Sequence, residues 1–185
     1  NISDFANEST LDPTVNGVCI IGGKAYLATN FGATVLDIER KEFESTYILE
    51  KKAYSIVESD DIIYIATEEG IYRGDANLNL LDATNWIKLS NQVYIKLTPI
   101  GEHLMALKSG ESVYTINLID GSATLFCKGP WHFMQVSNNH LIVGNSTDVL
   151  VYDTLKDPLK LAFDGTVSSI AIDGKDIRDV TQSSI

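Results

Sequence analysis

Short apolar runs recur along the whole chain, each broken by Gly, Asn, Asp or Ser, and nowhere is a helical i, i+3, i+4 spacing sustained. One run is repeated four times, as Tyr26–Thr29, Tyr64–Thr67, Leu104–Leu107 and Leu141–Gly144. Each ends on a small or apolar pair: Ala28-Thr29, Ala66-Thr67, Ala106-Leu107 and Val143-Gly144, at spacings of 38, 40 and 37 residues. Before each run stands a two-residue break that tolerates positive φ or hydrogen-bonds its own backbone, as a tight hairpin requires. These breaks are Gly22-Gly23, Asp60-Asp61, Gly101-Glu102 and Asn138-Asn139, with Asp173-Gly174 as a fifth, spaced 38, 41, 37 and 35 residues apart.

A second turn follows each repeated strand at Asn30-Phe31-Gly32, Glu68-Glu69-Gly70, Lys108-Ser109-Gly110 and Asn145-Ser146-Thr147-Asp148. A third connection falls at Glu39–Lys41, Asp75–Asn79, Asp120-Gly121 and Lys156-Asp157-Pro158, and a fourth strand closes each unit at Phe43–Leu49, Asn85–Leu89, Ala123–Lys128 and Leu159–Phe163. Four strands per unit of roughly 40 residues is the pattern of a β-propeller blade. The fold class is therefore all-β, a partial β-propeller with blades at about 17–49, 53–90, 93–128 and 131–163 and incomplete pieces at 1–16 and 166–185. A fifth blade is expected to open at Val167–Ile172, and the polar segment 176–185, with Asp176, Arg178 and Asp179, is expected not to continue it. All four prolines, Pro13, Pro99, Pro130 and Pro158, are expected in connections. Open blade edges leave three arrangements: a portion of a larger ring of six to eight blades, ends that close a small ring, or self-association of two copies.

Charge removes one partner class. Twenty-five acidic against 14 basic residues give a net charge of −11, and no basic cluster exceeds Arg40-Lys41 or Lys51-Lys52, so nucleic acid is excluded as a partner. No apolar stretch approaches the roughly 18 residues of a membrane span, so direct membrane insertion is not expected, nor does a signal peptide open the chain. Cys19 and Cys127 lie 108 residues apart in apolar runs with no neighbouring ligand, so both are expected as buried free thiols and no metal or cofactor is implied.

No catalytic constellation emerges. His103, His132 and His140 do not share a blade position, the paired carboxylates Asp60-Asp61 and Glu68-Glu69 are adjacent in turns, and no nucleophile elbow or phosphate loop occurs. Asp173-Gly174-Lys175-Asp176 lacks the alternating acids of a calcium loop. The pattern Asn-X-Ser/Thr stands at Asn1, Asn7 and Asn145, where it marks N-glycosylation only in a secreted eukaryotic chain. Among the aromatics Trp86 is expected to pack between blades, whereas Phe31 and Trp131, in or beside connections, are candidates to grip a sugar or peptide. Equivalent turns emerge on one face of a blade, so the expected partner-binding residues are Phe31, Glu68, Glu69, Lys108 and Asn145.

Two families share these motifs. Ile62-Ile63-Tyr64-Ile65-Ala66-Thr67-Glu68-Glu69-Gly70-Ile71-Tyr72-Arg73 resembles the propeller repeat of bacterial two-component sensors. Over about residues 1–90, Ile2-Ser3-Asp4-Phe5, Ala25–Gly32 and Glu44-Ser45-Thr46-Tyr47 resemble the propeller of the PorZ-type component of the type IX secretion system. The second resemblance implies a periplasmic or cell-surface, non-catalytic propeller of a Bacteroidetes-type bacterium, working with a sortase-like peptidase and anionic lipopolysaccharide and binding protein or glycan partners. The first implies the periplasmic ligand-sensing propeller of a hybrid histidine kinase.

Overall fold

The structure, a computed structural model, describes residues 12–153, 155–156, 158–162, 167–170 and 180–182. Four four-stranded antiparallel sheets follow one another along the chain, the blades of a β-propeller. The first holds β1 (Val15–Ile21), β2 (Lys24–Thr29), β3 (Gly32–Asp37) and β4 (Glu42–Ile48). The second holds β5 (Ala53–Ser59), β6 (Ile62–Thr67), β7 (Gly70–Asp75) and β8 (Trp86–Ser90). The third holds β9 (Lys96–Ile100), β10 (His103–Leu107), β11 (Glu111–Ile116) and β12 (Ala123–Trp131), and the fourth β13 (Phe133–Ser137), β14 (His140–Gly144), β15 (Asp148–Tyr152) and β16 (Leu159–Ala162). In each sheet the strands pair in chain order.

The expected first turns sit where the sequence places them, with Gly22, Gly23, Asp60, Asp61, Asn138 and Asn139 all at φ between 48° and 80°. Paired positive φ matches the right-handed twist of the flanking strands. The repeated small residue is explained by packing. Ala28, Ala66, Ala106 and Val143 are all fully buried in the second strand of their sheets, where a small side chain lets neighbouring elements close up.

The chain divides into two compact units, residues 1–97 with 118–122, and residues 98–117 with 123–185. In the first, the facing sheets share one core: Tyr26, Ala28, Ala33, Val35 and Tyr47 from one side, Ala53, Ile56, Ile63, Ile65, Leu80 and Trp86 from the other. Tyr26 Oη donates to the Glu58 carboxylate across the two sheets, and Asn16 Nδ2 donates to the Ala53 carbonyl oxygen at 3.0 Å. Arg73 donates to the Leu118 carbonyl oxygen, which ties segment 118–122 to this unit. In the second unit, Leu104, Leu107, Val113, Met134, Leu141 and Ile142 are buried, and Phe126 and Tyr152 stack at 4.9 Å in a tilted pair.

Two expectations change. Pro99 lies inside β9 and Pro130 inside β12, not in connections. Both strands are the outer members of their sheet, where a missing N–H removes no ladder bond. β12 therefore runs on to Trp131, with register shifts between Glu111 and Val113 and between Val113 and Tyr114. The first strand of the first blade starts at Val15. Segment 176–185 does contribute a strand: β18 (Val180–Gln182) pairs antiparallel with β17 (Val167–Ile170), and Val180-Thr181 is a β-branched pair that suits it. The Asp173-Gly174 turn, Asp176, Arg178, Asp179 and the motifs at residues 1–11 lie outside the described residues.

Stability is expected to fall at both ends of the pH scale. Asp12, Glu69, Asp82, Asp120 and Asp148 lie below the ordinary carboxyl values of 3.8 and 4.5, mainly through the Thr14 hydroxyl, Lys51, the Thr84 hydroxyl, the Ser122 amide and Lys160 respectively. A depressed carboxylate contributes stability above its unfolded value, and that contribution is lost as pH falls through the folded one. Tyr26, Tyr47, Tyr64, Tyr72 and Tyr152 lie above the ordinary value of 10.0, chiefly through burial. Their contribution is complete below pH 10 and declines as pH rises through the folded values. The urea midpoint is expected to be level from about pH 5 to about pH 9 and to drop on either side. A midpoint still level at pH 11 would show the tyrosines exposed in the folded state.

Candidate binding face

One end of each unit is built by the turn after the repeated strand together with the link to the next sheet. In the first unit the link Leu49–Lys52 joins β4 to β5. The Leu49 and Glu50 amides donate to the Phe31 carbonyl oxygen at 3.0 Å, and the Glu68 amide donates to the Lys52 carbonyl oxygen at 2.9 Å. The turns at Asn30-Phe31 and Glu68-Glu69 therefore lie at the same end of this unit. Charge is concentrated there: Lys51 Nζ pairs with Glu69 Oε2 at 3.3 Å, the Lys52 amide donates to Glu68 Oε1, and Glu69 also accepts from Tyr72 Oη at 3.2 Å.

The second unit repeats this construction. The Gly110 amide donates to the Trp131 carbonyl oxygen at 3.2 Å and the His132 amide to the Gly144 carbonyl oxygen at 2.8 Å. The link Trp131-His132 thus holds the Lys108–Gly110 and Asn145–Thr147 turns at one end. Lys108 Nζ faces Glu111 Oε2 at 3.3 Å.

The five candidate residues divide by exposure. Glu68 and Glu69 are exposed and Lys108 is half-exposed. Phe31 is a correction: at 3% exposure its ring is core, while its carbonyl oxygen accepts from the Leu49 and Glu50 amides of the following link. Asn145 is also buried, at 7%, and its Oδ1 accepts from the Thr147 amide, the Thr147 hydroxyl and the Asp148 amide, so it shapes the turn from inside. A buried carboxamide with that duty is a poor acceptor for a glycan. Trp131 is likewise buried, and its indole N–H has no hydrogen-bond partner among the described residues. Trp86 packs between the two sheets of the first unit, as its place in a fourth strand implies.

His140 contacts Asp153 at 3.3 Å and the Asn138 carbonyl oxygen at 2.8 Å beside its turn. Cys127 is buried and Cys19 half-buried, both as free thiols, and burial pushes the Cys19 thiol up. Among the described residues no three His, Cys, Asp or Glu side chains gather as a metal site, and no helix is long and apolar enough to cross a membrane. What the geometry offers is a set of charged, rigidly braced turn ends suited to polar recognition.

Residues 1–87 match the family described as the PorZ N-terminal beta-propeller domain of the type IX secretion system. The first 87 residues are PorZ-like. Among solved structures it is similar to PorZ of Porphyromonas gingivalis, described as an essential bacterial surface component of the type-IX secretion system, with 23% identity and a TM-score of 0.72. That similarity covers 85% of this chain and 22% of the PorZ chain, so the present chain spans less than a quarter of its relative. BamB from Moraxella catarrhalis is similar at 12% identity and a TM-score of 0.57, over 83% of this chain and 50% of its own. The computationally designed Ika8 protein is similar at 12% identity and a TM-score of 0.59, over 86% and 53%. These identities show the fold, and the sequence resemblance to the PorZ family agrees with it. A search of curated proteins returns no match. The Glu68-Glu69 turn falls inside the family match and Lys108 and Asn145 beyond it.

Proposed function

We infer that this chain is a non-catalytic propeller of an extracytoplasmic, type IX secretion-associated protein, and that it binds a protein or glycan partner through its turn ends. The observation that carries this reading is the match of residues 1–87 to the PorZ N-terminal propeller. The turn ends add chemistry to it. Glu68 and Glu69 are exposed carboxylates on a turn braced by the Lys52 backbone and Lys51, so they meet a partner with little conformational entropy left to lose. Lys108 and Glu111 provide paired charge at the corresponding end of the second unit. Because loops carried on a rigid sheet are the usual place for recognition, these turns are preferred over the strands.

The test uses the purified protein and two probes, the sortase-like peptidase of the same secretion system and anionic lipopolysaccharide, each titrated by biolayer interferometry. Glu68→Ala combined with Glu69→Ala is expected to weaken the responding probe at least tenfold, with the strand signature in circular dichroism retained and at most a small fall in melting temperature from the lost Lys51 pair. Affinity unaltered by this pair and by Lys108→Ala would remove the turns from the interface.

A further inference from the structure

The third connection of the second blade is longer than its counterparts. β3 and β4 are joined by residues 38–41, whereas β7 and β8 are joined by residues 76–85. The extra length is folded. Asp75 accepts from the Asn77 amide, Asn79 from the Leu81 amide, and Asp82 from the Thr84 amide, the last opening a turn of 3₁₀ helix at Ala83–Asn85. Leu80 is buried and its carbonyl oxygen accepts from Trp86 Nε1 at 3.0 Å, which anchors the segment to the core. Leu78 and Leu81 remain 53% and 73% exposed.

A groove of about 370 Å³ lies between this segment and β4, lined by Phe43–Tyr47 on one side and Ala76 and Leu78–Leu81 on the other. Consecutive residues of a strand point to opposite faces of its sheet. Five consecutive β4 residues can line one groove only if the groove follows the edge of the strand. β4 pairs with β3 alone, so it is the outer strand of its sheet among the described residues. An outer strand edge beside apolar side chains is the geometry that accepts an added extended strand.

The charge around the groove selects the occupant. Glu39, Glu42 and Glu44 lie on or just before β4, Asp75 and Asp82 bound the opposite wall, and residues 74–87 contain no lysine or arginine. The nearby cations are Lys24, paired with Glu44 at 2.9 Å, Arg40, paired with Asp37 at 3.5 Å, and Lys41, so the rim keeps an excess of carboxylates.

We propose that the groove between β4 and segment 76–81 binds an extended, basic–apolar peptide segment of a partner protein, which adds as a strand along Glu44–Tyr47. Its apolar side chains rest on Leu78 and Leu81 and its cations face the carboxylates of the rim. Segment 76–81 leaves β7 at the end opposite the Glu68-Glu69 turn, the Ala76 amide donating to the Asp61 carbonyl oxygen at 2.7 Å, and the proposal does not depend on the reading given for that turn.

The probe is a fluorescein-labelled peptide of alternating lysine and valine, titrated with the intact protein by fluorescence anisotropy, with the same peptide carrying glutamate for lysine as comparison. Expected are saturable binding of the lysine peptide that weakens with added salt, at least tenfold loss in Leu81→Asp, no loss in Ile87→Asp, and slowed amide exchange confined to residues 44–47. Leu81 is exposed, so its variant retains the melting temperature, and Leu78→Asp provides a second reading of the same wall. Absence of binding in the millimolar range, equal binding of the glutamate peptide, or unchanged affinity in both leucine variants would overturn the proposal. So would concentration-dependent dimerisation abolished by Leu81→Asp, which would make a second copy the occupant.

Discussion

Replacing Trp86 by alanine is expected to destabilise the first unit by about 3–5 kcal/mol, the usual cost of removing a buried aromatic side chain. Trp86 is 8% exposed and meets Tyr47 of the neighbouring sheet edge-on, at 5.3 Å between centroids and 67° between planes. Its ring also covers Gly74, where any added Cβ would touch it at 3.1 Å. Truncation leaves a cavity between two sheets that are each held rigid by their own ladders, so collapse can recover little of the loss. It also strips the Leu80 carbonyl oxygen of its donor, and segment 76–85 is expected to loosen with it. Urea unfolding checks the value, with Ile87→Ala, exposed on the same strand, expected within about 0.5 kcal/mol of the parent. A Trp86→Ala loss below about 1 kcal/mol would mean that this ring does not join the sheets.

The second large effect is at Gly70. Its φ of +130° is a conformation that L side chains rarely adopt, and a Cβ there would press into the Ser90 carbonyl oxygen of the adjacent strand. Backbone strain of about 1–3 kcal/mol adds to overpacking of about 1–3 kcal/mol, so Gly70→Ala is expected to cost about 3 kcal/mol or more. Gly22 is the comparison. It sits at φ +56° with nothing within 4 Å of the added Cβ, so Gly22→Ala is expected to cost about 1 kcal/mol. Gly22→Asn is expected to cost less still, because Asn138 occupies the same turn position at φ 48°. Parallel urea curves separate these cases, and equal losses at Gly70 and Gly22 would refute the steric account.

The two glycines also show what a sequence can and cannot carry. Both are turn residues, and both were legible as such. That one tolerates a side chain and the other does not depends on whether a neighbouring strand closes over the turn. The same division runs through the candidate face. Glu68, Glu69 and Lys108 were legible as turn residues that meet solvent. Phe31 occupies the equivalent turn, yet its ring is core, a burial that local spacing does not reveal. Asn145 was legible as a turn former, but its inward carboxamide, which holds the Thr147 and Asp148 amides, depends on the bend of one loop. Proline position was misjudged for a related reason. Pro99 and Pro130 can stand in strands because those strands are outermost, and strand order is not written in local spacing.

The sequence by itself determined the strand repeat, the four blades and the paired positive-φ turns. Alternation of apolar and polar residues and the demands of two-residue turns act within a few positions of the chain. Only the tertiary structure decided which turn residues are exposed, how the link between sheets braces them, and that segment 76–85 walls a groove along β4. Those outcomes arise where one sheet meets the next, between residues tens of positions apart, and their physical cause is packing rather than local propensity.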